Sequence, residues 1–105
     1  MRGGNKMREM TAEEVAQAAK NNKDVSIIDV REDEEVAEGM IPGARHIPLG
    51  QVPDRLDELD KDKEHIMVCR SGARSGRAGS FLKKEGYDVI NMSGGMLEWK
   101  DEVQK

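Results

Sequence analysis

Three short apolar runs punctuate the chain, and between them the apolar residues recur at helical rather than alternating spacing. Val25-Ser26-Ile27-Ile28-Asp29-Val30 is rich in β-branched residues and reads as a strand covered on both faces. His65-Ile66-Met67-Val68-Cys69 reads as a second buried strand, and Asp88 to Asn91 as a third. Ahead of the first, Thr11 with Glu14 makes a capping-box pattern, and Val15, Ala18 and Ala19 share a face, which predicts a helix ending near Asn21 and Asn22. After the second, a helix is predicted from Arg74 or Ser75: Ala78, Phe81 and Leu82 form its apolar face, Lys83 and Lys84 its cationic last turn, and Gly86 its C-cap. Weaker signals predict a short helix near Asp33 to Glu38, a turn at Gly39, Pro42 and Gly43, and a short strand from Ala44 to Ile47. Gly50 to Leu59 reads as a loop and short helix, and Ser93-Gly94-Gly95 as a turn into a last helix carrying Met96, Leu97 and Trp99.

Strands alternating with helices imply an α/β fold, a central mostly parallel sheet with helices on both faces. Ligands in such sheets collect at the carboxyl ends of the strands, and Cys69 closes one there. Residues 1–10 read as a flexible N-terminal segment and residues 11–105 as the folded domain, with Met7 a candidate for the natural start and residues 1–6 polar and unstructured.

Length and charge narrow the classes. A chain of 105 residues is one domain, and its core must come from Val, Ile, Leu, Met and Ala, because the aromatics number only Phe81, Tyr87 and Trp99. With 21 acids against 17 bases, the net charge of −4 argues against nucleic acid as a partner. A single cysteine excludes an intramolecular disulfide, a Cys-x-x-Cys pair and a multi-cysteine zinc site, and fits a cytoplasmic location. Neither a membrane span nor a leader is indicated. His46 and His65 lack ligand spacing and are assigned surface or strand-end roles; no metal and no cofactor are expected. The acids between Asp29 and Glu38 read as a solvated face, Asp29 and Arg31 as members of a structural ion pair with neighbouring acids, the methionines as core filler, and Trp99 as an anchor for the last helix.

Against this acidic background one segment stands out. A lone cysteine ending an apolar strand is usually inert, but Cys69 is followed by Arg70, Ser71, Gly72, Ala73, Arg74 and Ser75, and no acid occurs before Glu85 while Arg70, Arg74, Arg77, Lys83 and Lys84 accumulate. Cys69 therefore sits in a basic island at a helix N-terminus, where a thiol ionises below its free value of about 8.5 and becomes a nucleophile. Gly72 permits the left-handed backbone that turns successive N–H groups toward an anion. Ser71 and Ser75 are placed either to cap the helix or to donate to the ligand. In phosphate-transferring sites of the Cys-x5-Arg kind the arginine stands six residues after the cysteine; here Ser75 occupies that position and Arg74 comes one earlier. The tighter ring suits one extra sulfur atom better than a phosphoryl group.

These residues resemble the single-domain rhodanese sulfurtransferases. Ile28-Asp29-Val30-Arg31, Gly39-Met40-Ile41-Pro42-Gly43-Ala44 and Ile47-Pro48-Leu49 are similar to the family's first half, Cys69 to Ser75 to its active-site loop, and Gly94-Gly95-Met96 with Trp99 to its closing segment. Met40 departs from the histidine many members carry there. The resemblance implies that residues 11–105 form a rhodanese-like domain with Cys69 catalytic and the loop from Arg70 to Ser75 binding substrate. It further implies a Cys69 persulfide, loaded from a small anionic donor such as thiosulfate or from a persulfide, and discharged to cyanide, a small thiol or a protein thiol. With no second cysteine the acceptor comes from outside the chain. The alternative expectation is a persulfide carrier or redox sensor that serves a protein partner with little small-molecule turnover.

Overall fold

The computed structural model describes residues 7–22 and 24–105, so the expectation for residues 1–6 lies outside the described part. Five strands, β1 (Arg8–Met10), β2 (Ser26–Asp29), β3 (Arg45–His46), β4 (Glu64–Val68) and β5 (Asp88–Met92), form one sheet in the order β1-β5-β4-β2-β3. Every neighbouring pair is parallel. Between them run helices α1 (Ala12–Asn21), α2 (Asp33–Val36) and α3 (Ala73–Lys84), with 3-10 segments at Leu49–Glu58 and Gly95–Glu98.

Side-chain alternation along the central strands divides the interior in two. Ile27, Ile66 and Ile90 lie in register across β2, β4 and β5 and pack with Val68, Met92 and the α1 residues Ala12 and Val15. Ile28 and Met67 occupy the opposite face with Val30, Cys69, Val89 and the α3 residues Ala78 and Leu82. Each buried isoleucine contributes about 1.5–3 kcal/mol, so these rows hold the helices to the sheet without aromatic bulk. The register also places Asn91 beside Met67. A polar side chain thus enters the α3 face next to the end of β4.

Local signals account for most boundaries. Thr11 and Glu14 close the predicted capping box at α1, and Gly86 ends α3 with φ +95°. Residues 8–10, assigned above to the flexible segment, instead pair as edge strand β1 against β5. Arg8 and Glu9 carry charge and no alternation, so this strand is made by backbone pairing that side-chain patterning does not announce. The stretch read as a loop and short helix is a 3-10 segment interrupted at Arg55 (φ −124°), with Pro53 inside it. The last helix is one 3-10 turn, and Trp99 caps it, half-buried against the α1-side core, with Nε1 donating to the Glu102 carbonyl at 3.0 Å. Among the described residues no helix is long and apolar enough to cross a membrane.

The ion pair expected of Asp29 and Arg31 forms between those two residues rather than with the neighbouring acids. Arg31 Nε lies 3.0 and 3.1 Å from the two Asp29 oxygens, and Nη2 lies 2.8 Å from Oδ2 and 2.9 Å from the Gly39 carbonyl. Both side chains are buried, so the guanidinium ties the end of β2 to the turn before β3. Removing one partner strands a charge in the interior, and Arg31→Met should lower the unfolding free energy by about 3–5 kcal/mol in urea titrations.

Candidate active site

At the carboxyl end of β4 the chain leaves the sheet on the α3 side, and Cys69 is its first residue beyond the strand. Cys69 has no exposed surface. Its Sγ accepts from the Gly72 N–H at 3.0 Å and faces the Ser75 hydroxyl at 3.3 Å. Burial pushes the thiol pKa up, but the Ser75 hydroxyl and the amides of Ser75, Gly72 and Ser71 together outweigh it, leaving the thiol below its ordinary value. The direction expected for Cys69 holds. The larger lowering effects are hydrogen bonds from neutral donors, and Arg74 of the basic segment also interacts electrostatically with Cys69.

Two glycines make that convergence possible. Gly72 precedes α3 with φ +99°, and a Cβ there would lie 3.3 Å from the Gly94 nitrogen. Gly95 is more constrained: an added Cβ would fall 2.4 Å from the Arg70 oxygen and 2.5 Å from the Cys69 oxygen. Those two carbonyls accept from Leu97 at 3.0 Å and Met96 at 2.8 Å. A trans peptide points its N–H opposite to its C=O, so fixing the Arg70 carbonyl on the 3-10 turn aims the Ser71 N–H the other way.

Arg74 does not stand in an unopposed basic island. Its Nη1 and Nη2 fork onto the Glu35 carboxylate at 2.6 and 2.7 Å, pairing α3 with the acidic stretch after β2. The Arg74 hydrogen bond holds the Glu35 carboxyl at about 2, against the opposing effect of burial and with help from Glu32, Arg74 and Arg31. Glu35 also accepts from the Glu32 N–H at 3.0 Å, so the acid run is only partly a solvated face. Arg70 and Arg77 are exposed and have no ion-pair partner among the described residues.

The structure thus gathers Cys69, Gly72, Ser75 and the Ser71 amide, sets Arg74 beside them, and leaves the Arg70, Ser71 and Ala73 side chains outward. The choice left open for the serines resolves against helix capping, because Gly72 is the N-cap of α3 and no side chain bonds there. Sequence reasoning missed Glu35 and Asn91. The spacing of Glu32 and Glu35 was a capping-box signal for the first; Asn91 gave none, since only register brings it beneath Ser75. Neither histidine joins the site as an acid or base. His46 Nε2 lies 2.7 Å from the Arg31 carbonyl, and His65, expected at a surface or strand end, is buried at the start of β4 between Ser26 Oγ at 2.6 Å and the Asp60 carbonyl at 2.8 Å.

Known proteins resemble this chain in sequence and fold. Residues 11–102 match the model of the rhodanese-like domain. The chain belongs to the rhodanese-like family. This rhodanese-like domain is 45% identical over 100 residues to "Putative sulfurtransferase YtwF" of Bacillus subtilis, covering 90% of the chain and 97% of that protein. It is 39% identical over 97 residues to "Putative sulfur carrier protein YrkF" of the same organism, covering 91% of the chain and 52% of the longer relative. The crystal structure of a rhodanese-like domain protein from Staphylococcus aureus superposes with a TM-score of 0.88 at 38% identity, covering 93% of this chain and 97% of the other. The α/β architecture expected from the strand and helix pattern is therefore the rhodanese-like one, and the names of its relatives are those of sulfurtransferases and a sulfur carrier.

Two variants test the geometry of this rhodanese-like site. Because the folded Glu35 pKa is depressed from 4.5 to about 2, its contribution to stability is complete above pH 4.5 and is lost as pH falls through 2. The difference in urea midpoint between the parent and Glu35→Gln should accordingly be widest above pH 4.5 and close toward pH 2. Gly43 also has positive φ but nothing within 4 Å of an added Cβ, so Gly95→Ala should destabilise by about 1–3 kcal/mol more than Gly43→Ala in the same titration.

Proposed function

We propose that the protein is a sulfurtransferase working through a Cys69 persulfide, with thiosulfate or a persulfide as donor and cyanide, a small thiol or a protein thiol as acceptor. The observation that supports this most directly is a buried sulfur met by neutral N–H and O–H donors from its own short loop. Such donors stabilise negative charge on the thiolate and, one bond further out, on a terminal sulfur, while the Arg74 charge beside them is engaged by Glu35.

In the first half-reaction the Cys69 thiolate attacks the outer sulfur of thiosulfate. A sulfur–sulfur bond forms to Cys69, the bond to the central sulfur breaks, and sulfite leaves with that electron pair. In the second, the acceptor attacks the outer sulfur, the Cys69–sulfur bond breaks toward Cys69, and the thiolate returns. Charge balances in both steps and no oxidant is required. Exposed Arg70 lies next to the sulfur in sequence and attracts an anionic donor, while Arg74, held by Glu35, keeps its charge at a fixed position beside the loop. Because the chain has one cysteine, no internal thiol resolves the persulfide.

The similarity to a relative named as a sulfur carrier supports a second reading, delivery of the same persulfide to a protein partner with slow turnover on small acceptors. Both readings require Cys69. Treatment with thiosulfate should add one sulfur atom to the intact mass, and Cys69→Ser should abolish both that gain and thiocyanate formation from thiosulfate and cyanide. Wild-type thiocyanate production by Cys69→Ser would overturn the assignment. Rapid loading with discharge only to a protein thiol would select the carrier.

A further inference from the structure

One hydroxyl proton at Ser75 faces two acceptors. Ser75 Oγ lies 2.5 Å from Asn91 Oδ1 and 3.3 Å from Cys69 Sγ. The Asn91 carboxamide is oriented by its other end, because Nδ2 donates to the Gly72 carbonyl at 3.1 Å and exchanging the two ends would set acceptor against acceptor. Ser75 has no exposed surface and Asn91 only 5%, so each relies on partners within the protein. A ring therefore closes from Sγ through Ser75 Oγ, the Asn91 amide and residue Gly72 back to Sγ.

The proton cannot serve both acceptors at once. When Cys69 is a thiolate, the Ser75 O–H turns to Sγ and Asn91 Oδ1 is left facing an oxygen lone pair, a buried acceptor without a donor. When Sγ is uncharged, either protonated or bonded to a second sulfur, the hydroxyl turns back to Oδ1, and a thiol S–H can itself donate to Ser75 Oγ. We propose that Asn91 is a positioning residue that draws the Ser75 hydroxyl away from Cys69 whenever the sulfur is uncharged, so that the pair favours the protonated and sulfur-loaded forms over the free thiolate. The statement about the loaded form rests on the sulfur-transfer reading; the statement about the thiol does not.

The charged groups about this ring are Arg74, which interacts electrostatically with Cys69 and with Glu32, its partner Glu35 from α2, and exposed Arg70 in the loop; the core cluster that holds Cys69 is apolar. None of them is altered by the test. Thiolate absorbance in the ultraviolet reports on Cys69 alone when referenced to Cys69→Ser, since the chain has one cysteine. Asn91→Leu removes the competing carbonyl at similar volume and should lower the titration midpoint by about half to one pH unit, a roughly three- to tenfold change matching one neutral hydrogen bond. Ser75→Ala should raise the midpoint, and adding Asn91→Leu to it should change nothing further. An equal shift in both backgrounds, as a merely structural role would give, or a rise on Asn91→Leu, overturns the proposal. If the leucine variant does not fold by circular dichroism, Asn91→Ala carries the same expectation. Above the midpoint, at a fixed thiosulfate-to-sulfite ratio, Asn91→Leu should lower the loading constant by the same roughly three- to tenfold factor, read by intact mass. A lowered midpoint in a protein whose parent takes up no sulfur would uphold the proton assignment and overturn the sulfur-transfer reading.

Discussion

The absence of a side chain at Gly95, where a Cβ would collide with the carbonyls of Cys69 and Arg70, sets the direction of the donors at the sulfur. With those carbonyls held on the Gly95–Glu98 turn, the peptide planes that follow can only present their N–H groups on the opposite side. Gly72 then reverses the chain in a left-handed conformation, its own N–H and the Ser75 amide of the first turn of α3 directed at Sγ. The site is built from backbone more than from side chains. That explains how one short loop stabilises a buried sulfur anion, since preorganised amides need no reorganisation when the charge appears.

The acidic stretch after β2 and the basic segment around Cys69 meet at a joint. Glu35 accepts the guanidinium of Arg74, closes the cap of α2, and offers its carbonyl to Arg31 at 3.4 Å, while Arg31 in turn holds Asp29 at the end of β2. Charges remote in sequence thus lock the loops after β2 and β4 together at one end of the sheet. The net charge of −4 conceals this, because the groups that matter most at the site cancel in pairs.

Much of the framework was legible from sequence. Ile27, Ile28, Ile66, Met67 and Ile90 announced strands buried on two faces, and Cys69 followed by Arg70-Ser71-Gly72-Ala73-Arg74-Ser75 announced an anion loop at a helix start. What stayed hidden depended on register or on backbone pairing. Arg8–Met10 forms a strand because β5 offers an open edge, not because its side chains alternate. Asn91 looked like the end of an apolar run until its alignment with Met67 turned it toward α3. Glu35 was one acid among six, and its capping-box spacing from Glu32 marked a helix start without pointing to Arg74, 39 positions further on.

The two sheet edges are short and charged: β1 spans three residues and carries Arg8 and Glu9, and β3 spans two and carries Arg45. Arg45 reaches the Glu58 carbonyl at 2.7 Å, laying its side chain along the 3-10 segment beside that edge. A parallel sheet bounded in this way gives a neighbouring chain too few consecutive free backbone groups to template on. Resistance to edge-to-edge aggregation is therefore secured at the margins, which leaves the central strands free to be almost wholly apolar and the loop end free of any duty beyond holding its sulfur.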